Sequence, residues 1–446
     1  MKKINLQEIF FEKSNQDTQE NIDQSKHGVK FNKIEFFIIV IVSILALCIR
    51  FLGIEHISRD MEMCLLQWVD KIVEYGRLES FKHIIGDYYV SYMYILTFIS
   101  LLPFQYMYSI KFVSIIFDFI MAFFVAKLTY NVTKNKTKSI VAYCIVLFLP
   151  TVVYNSSSWG QCDSIYTTFI MISLCLLIEK KYSKSIIFLG IAFAFKLQTV
   201  FILPLYILYW ISGNKRPFKL RKFLYFFVPY IIMGIPAILM GRGIIDTYGT
   251  YFKQAGEFSN TLTNVNFNFY TLIVPKKNAT KTGDNTLIFN NPLLDNIGII
   301  ILLLFFIILF IKEFKLKKEM KNEQIISIGL WVVLIANFFL PHMHDRYMYV
   351  ADILAVSYSL IYLDRFFEFT IMQIISLNTY WYFYKYLSVS RYFWSILTFL
   401  NIIYIGYYII NERIAKEKEN SEKNNVNNKT NFKFNKTNIN ISRKTL

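Results

Sequence analysis

The feature that most constrains this chain is a series of apolar runs, each close to the length of a bilayer crossing, separated by short basic segments. Inside a bilayer every backbone N–H and C=O must be paired by the protein itself, so such runs fold as helices. Of the 446 residues 55% are hydrophobic and only 18% charged, a balance that fits repeated burial in lipid. The expected class is an all-α polytopic membrane protein.

The net charge of +17 suggests nucleic acid at first sight. Its lysines and arginines, however, cluster in short loops and tails between the apolar runs, as the positive-inside rule requires. A nucleic-acid binder needs one contiguous basic surface, so no nucleic-acid partner is expected. Five scattered cysteines, with Cys48, Cys144 and Cys175 inside apolar runs, form no CxxC pair and read as packing residues.

Loop charge sets the expected topology. Residues 1–34 carry Lys2, Lys3, Lys13, Lys26, Lys30 and Lys33 and read as a cytoplasmic N-terminal segment; 35–411 form the transmembrane domain, and 412–446 a disordered, basic cytoplasmic tail. The first crossing, 36–53, leads to a first external loop, 55–107. There Met61, Leu65, Trp68, Val69 and Ile72 recur at helical spacing between Glu62, Asp70 and Lys71, the pattern of a helix lying at the membrane interface. The Tyr-rich run 89–103 is placed at the outer interface by parity. Crossings follow at 108–130, 139–157 and 164–178.

Residues 185–211 are long enough for one helix, yet a single crossing would put Lys215, Arg216, Lys219, Arg221 and Lys222 outside. Two shorter segments meeting near Lys196 to Gln198 keep those cations inside, and helices broken at depth are tolerated where they line a cavity. Further crossings fall at 223–241, 296–311, 324–340, 348–363, 367–386 and 392–410, with a long external loop at 242–296. The total is twelve, with both termini inside. The aromatic stretch 266–275 of the long loop is expected to pack over the cavity.

This scheme gathers the conspicuous polar residues on one side: Arg59, Asp60, Asp87, Gln161, Asp163, Lys196, Gln198, His342, His344, Asp345 and Arg346. A charge or unpaired amide within lipid costs several kcal/mol unless it faces a wet cavity or a partner. Carboxylates above a cluster of Lys, His and Arg suit transfer from a lipid phosphate. The leaving group needs cationic donors, and an acceptor hydroxyl needs a general base. No P-loop or dinucleotide fingerprint points to a soluble cofactor engine.

Five pieces, taken in order, resemble one family: SRD with QW at 58–68, GDY at 86–88, WGQCD at 159–163, Lys196-Leu-Gln198 followed by Pro204, and LPHMHDRY at 340–347. The chain resembles polyprenyl-phosphate-sugar-dependent glycosyltransferases of the GT-C superfamily, in particular bacterial relatives of the second mannosyltransferase of GPI-anchor synthesis. The resemblance covers the first ten helices. Two departures stand out: Asp345 replaces the family's usual Glu before Arg-Tyr, and YYVSY follows Gly86-Asp87 where a proline-containing stretch is common.

By that resemblance the fold is a GT-C-like bundle of about twelve transmembrane helices with external juxtamembrane helices, in the bacterial cytoplasmic membrane, its active site on the extracytoplasmic side. Asp60 becomes the catalytic carboxylate. Arg346, His344, His342 and Lys196 become phosphate-side groups; Asp163 and Gln161 orient them or touch sugar; Arg59, Asp87, Trp159, Gln198 and Asp345 complete the substrate-binding set. The implied donor is a polyprenyl-phosphate hexose such as mannose, and the acceptor an envelope glycan or glycolipid. Metal dependence stays open, because Asp60, Asp163 and the two histidines have suitable chemistry for a divalent cation but no spacing of the HExxH kind requires one. Two rival readings use the same features: a lipid-linked-sugar flippase, which needs a second polar gate, and a membrane glycan polymerase fed by lipid diphosphates.

Overall fold

The computed structural model describes residues 32–213, 216–257, 261–273, 287–288, 292–316, 318–383 and 390–413. Most of the expected N-terminal segment, the centre of the long loop and the basic tail from 414 lie outside the described residues. The chain divides into two units, Met1–Leu45 and Ala46–Leu446. Helix α1 (Lys33–Leu52) runs from the first into the second.

The second unit continues with α2 (Leu66–Glu74), α3 (Val90–Ile99), α4 (Tyr106–Thr133), α5 (Lys136–Phe148), α6 (Asp163–Ile178), α7 (Tyr182–Phe195) and α8 (Leu203–Ile211). After α9 (Phe227–Leu239) come α10 (Pro292–Leu316), α11 (Asn322–Phe339), α12 (Tyr349–Ile361), α13 (Phe366–Phe383) and α14 (Arg391–Arg413). Among the described residues six helical stretches are long and apolar enough to cross a membrane: α1, α4, Leu220–Leu239, Leu293–Leu316, α11 and α14. A seventh arises if α5 and Pro150–Trp159, bent by 49°, form one span. The bend falls at Pro150, which has no N–H to give to a continuous helix. The protein is an all-α membrane protein.

Of the twelve expected crossings, six fall on these spanning helices and a seventh on the bent pair; several of the described helices at the other expected positions are short. Helices α6, α7 and α12, with 16, 14 and 13 residues, are also largely buried. At 1.5 Å per residue, the ten residues of α3 reach only about 15 Å, half a hydrocarbon core.

The apolar stripe expected of an interface helix runs through the turn Met61–Leu65 into α2 and packs on protein. Met61, Leu65, Val69 and Ile72 are buried against Tyr92, Met93, Leu96 and Ile110 of α3 and α4. The periodicity that predicts such a stripe does not specify its partner. Helix α7 ends at Phe195, Lys196 is extended (φ −153°, ψ 133°), and a 3₁₀ turn at Leu197–Ile202 leads into α8. The interruption lies at the expected place.

The described parts of the long loop contain regular structure. Strand β1 (Thr261–Asn264) lies between β2 (Leu287–Ile288) and β3 (Met343–His344), antiparallel to the former and parallel to the latter. Within 266–275, Phe267 and Tyr270 are buried; residues 274 and 275 lie outside the described set. Deeper in the bundle, Arg50 Nε donates to Asp118 Oδ2 at 2.8 Å, and Ser156 Oγ donates to the same oxygen at 2.6 Å. With Arg50 and Asp118 both fully buried, this pair ties α1 and α4 to the turn carrying Trp159.

Candidate active site

Two π-helical turns flank the cluster. One, Met61–Leu65, follows Asp60; the other, Tyr154–Trp159, ends at Gly160. The wider turn shifts side chains off the regular helical face, which is why it recurs at functional sites. Asp60 does not cap its helix with its carboxylate. Ser58 Oγ instead accepts from the Met61 N–H at 3.1 Å and donates to the Trp159 carbonyl at 2.9 Å, joining the two turns.

Gly160 has φ +74°, and a Cβ there would collide with Met61 Cε and approach Lys111 Cγ to 3.3 Å. Glycine lets the chain reverse at this point. Lys111, itself buried, donates from Nζ to the carbonyls of Ile54 (2.8 Å) and His56 (2.6 Å), fixing the approach to Asp60.

Three donors converge on one oxygen of Asp60. Trp159 Nε1 (3.2 Å), Gln161 Nε2 (2.7 Å) and Arg346 Nη1 (3.0 Å) all donate to Oδ2. Among the described residues Oδ1 accepts no hydrogen bond, and the side chain is 27% exposed. The carboxylate is therefore oriented through one oxygen and keeps the lone pairs of the other.

A second carboxylate lies behind the first. Asp163, fully buried, accepts from Lys196 Nζ on Oδ1 and from Asn155 Nδ2 at 2.9 Å on Oδ2. Arg346 Nε stands 3.6 Å from Asp163 Oδ2, so one guanidinium bridges two acids. Its centre lies 5.3 Å from the Trp159 ring centroid. Its Nη2 has no hydrogen bond among the described residues. Lys196 is 2% exposed, with its ammonium 5.7 Å and 5.5 Å from the rings of Tyr88 and Tyr166. Two acids thus face two bases.

The remaining expected residues surround this core at different distances. Tyr88 OH donates to Gln161 Oε1 at 3.5 Å, and the adjacent Asp87 has its carboxyl pKa raised, chiefly by burial, against the lowering influence of its backbone hydrogen bond, Arg346 and Lys196. Burial also lifts Asp345 to about 7; Arg346 opposes the rise while Asp60 and Asp163 add to it. His344 is pushed down to about 3 by burial first and then by Arg346, Lys196 and His342, which leaves a neutral ring. Gln198 is buried, and its side chain acts on the neighbouring Tyr347 hydroxyl. Arg59 is exposed beside Asp60, and His342 is half-buried with φ +62°, its N–H donating to the Leu262 carbonyl at 3.0 Å. Among the described residues no three His, Cys, Asp or Glu side chains form a metal-ligating group.

Sequence reading missed Asn155, Tyr380 and Asn264. Asn155 Nδ2 also reaches Tyr380 OH at 3.3 Å, and the Tyr380 ring stands edge-on to Trp159 with centroids 5.2 Å apart. A polar side chain in the apolar run before Trp159 was a usable signal for Asn155. Tyr380 is one of 31 tyrosines and has no distinguishing local pattern.

Fold and site together define an all-α membrane protein with a charge-paired carboxylate at the junction of two π-turns. No family model and no curated protein matches the chain.

Proposed function

We propose that this protein is an inverting, polyprenyl-phosphate-sugar-dependent glycosyltransferase of the GT-C type, with twelve crossings in the bacterial cytoplasmic membrane and its site on the extracytoplasmic side. The observation that carries the reading is the asymmetry of Asp60. Oδ2 is held by Trp159, Gln161 and Arg346, while Oδ1 remains open as a proton acceptor. A base held by rigid donors meets the geometric demand of general-base catalysis.

In the proposed step an acceptor hydroxyl oxygen attacks the anomeric carbon from the face opposite phosphate. Its proton passes to Asp60 Oδ1, the new C–O bond forms, and the bond from the anomeric carbon to phosphate oxygen breaks with its electron pair on polyprenyl phosphate. The configuration inverts. Arg346 is the principal phosphate-side group through Nη2, since its Nη1 is engaged by Asp60. Lys196 acts from behind, as counter-ion to Asp163. The isoprenoid tail remains in lipid.

The test is a reconstituted assay that offers polyprenyl-phosphate hexoses and extracted envelope glycans and follows glycosidic bond formation, with and without chelator. Transfer from the monophosphate carrier supports the proposal. Movement of an intact sugar-lipid without a new glycosidic bond favours the flippase, and use of lipid diphosphates alone favours the polymerase.

A further inference from the structure

The pairing of β1 with β3 joins a segment of the long loop to the motif that supplies Arg346. Asn264 is the register partner of His344 in this parallel pair. Its amide Nδ2 lies 3.0 Å from His344 Nδ1, and Asn266 Nδ2 donates to the His344 carbonyl at 3.2 Å. Both Asn264 and His344 are partly buried. Asn266 is itself held, its carbonyl accepting from Thr263 Oγ1 at 3.0 Å and Thr271 Oγ1 at 3.1 Å. The loop grips His344 by both ring and backbone.

An amide nitrogen only donates, so its partner nitrogen on the imidazole must carry a lone pair. In a neutral ring the proton then resides on the other nitrogen, because the bond made at one nitrogen selects the tautomer. We propose that Asn264 is a positioning residue that holds His344 as an uncharged imidazole with its proton on Nε2. The inference deepens the glycosyltransfer reading and rests on it for its catalytic meaning: His344 would serve the leaving phosphate as a neutral hydrogen-bond donor, not as a third cation.

The surroundings favour that state. The fixed cations acting on the ring are Arg346 and Lys196, the His342 ring also acts on it, and Tyr347 lies obliquely beside it with centroids 5.0 Å apart. A third positive charge here would repel both fixed bases. A neutral donor strengthens with charge developing in the transition state without that permanent repulsion.

The proposal is tested on the full chain labelled with ¹⁵N-histidine in lipid nanodiscs, where five histidines give a sparse spectrum and His344→Gln assigns the signal. The parent is expected to show, at neutral pH, a His344 ring protonated at Nε2 and unprotonated at Nδ1. Asn264→Asp replaces a donor by an acceptor of the same shape, so Nδ1 should gain a proton while the other histidine signals stay in place. Asn264→Leu should give a mixture of tautomers. A parent ring protonated on Nδ1 or on both nitrogens overturns the proposal, as does an Asn264→Asp spectrum identical to the parent's. The ring spectrum requires no turnover, so absence of sugar transfer with the expected tautomer rejects the enzyme reading alone.

Discussion

Arg346 Nη1 donates to Asp60 Oδ2 at 3.0 Å across 286 positions of sequence, and the same guanidinium reaches 3.6 Å from buried Asp163. This bridge makes the first acid, the second acid and the late MHDRY motif one electrostatic unit. Arg346→Lys keeps the charge but loses the planar fork that spans both acids. Donor titration with purified variants should therefore give weakened donor use in Arg346→Lys and a larger loss in Arg346→Ala. Unchanged donor dependence in Arg346→Ala would remove Nη2 from the phosphate site.

Lys196 is the partner whose loss the fold should feel most. Lys196→Met leaves Asp163 buried with much of its charge compensation gone, a change of about 3–5 kcal/mol when a buried pair is broken on one side. Denaturation in detergent should show a large destabilisation that the double variant with Asp163→Asn partly restores. A double variant no more stable than Lys196→Met alone would mean the two side chains are not energetically coupled.

The residues around this pair divide sharply by how far their signals extend along the chain. Gln161, Asp163 and Lys196 were legible because polar groups interrupt apolar runs, the interruption at Lys196 followed from loop charge, and Trp159 entered through resemblance. Loop charge placed Asp60 and Arg346 on the same side and resemblance supplied their roles, but nothing local indicates that they touch. The buried side of α2 was legible as a stripe, but what it packs against depends on α3 and α4. Tyr380 and Asn264 gain their roles only through non-local packing, and the two π-turns break the regular period on which helix reading depends.

Acid–base behaviour should distinguish two neighbours in the 340–348 loop. Asp345 has a pKa of about 7 in the fold against an ordinary 3.8, so between those pH values the folded chain holds a proton the unfolded chain lacks, and stability falls as pH rises through this window. His344, lowered from 6.5 to about 3, acts oppositely: the unfolded chain holds the extra proton there, and stability falls as pH drops. Asp345→Asn should thus gain stability relative to the parent as pH rises from about 4 to about 7. Parallel unfolding curves for parent and variant across that range would contradict the assignment.

Membrane orientation is open to direct chemical test. Trp159 is fully buried and a poor labelling position, whereas Glu79 in the loop before α3 and Lys219 before α9 are exposed. In a background with the five native cysteines replaced, an impermeant thiol reagent on intact cells should label Glu79→Cys and spare Lys219→Cys until the membrane is opened. The reverse pattern would invert the proposed topology.

The central claim is that Asp60 is the general base, and Asp60→Asn tests it most directly. The amide retains the side-chain shape, while Ser58 already accepts the Met61 N–H and Asp60 has no side-chain capping bond, so helix capping offers no route to lost activity. The measurement is single-turnover sugar transfer by reconstituted Asp60→Asn, with donor binding followed separately. The account predicts retained donor binding and transfer slowed by roughly 10²-fold or more, the usual scale for losing a general base; near-parental transfer by a folded variant would contradict it.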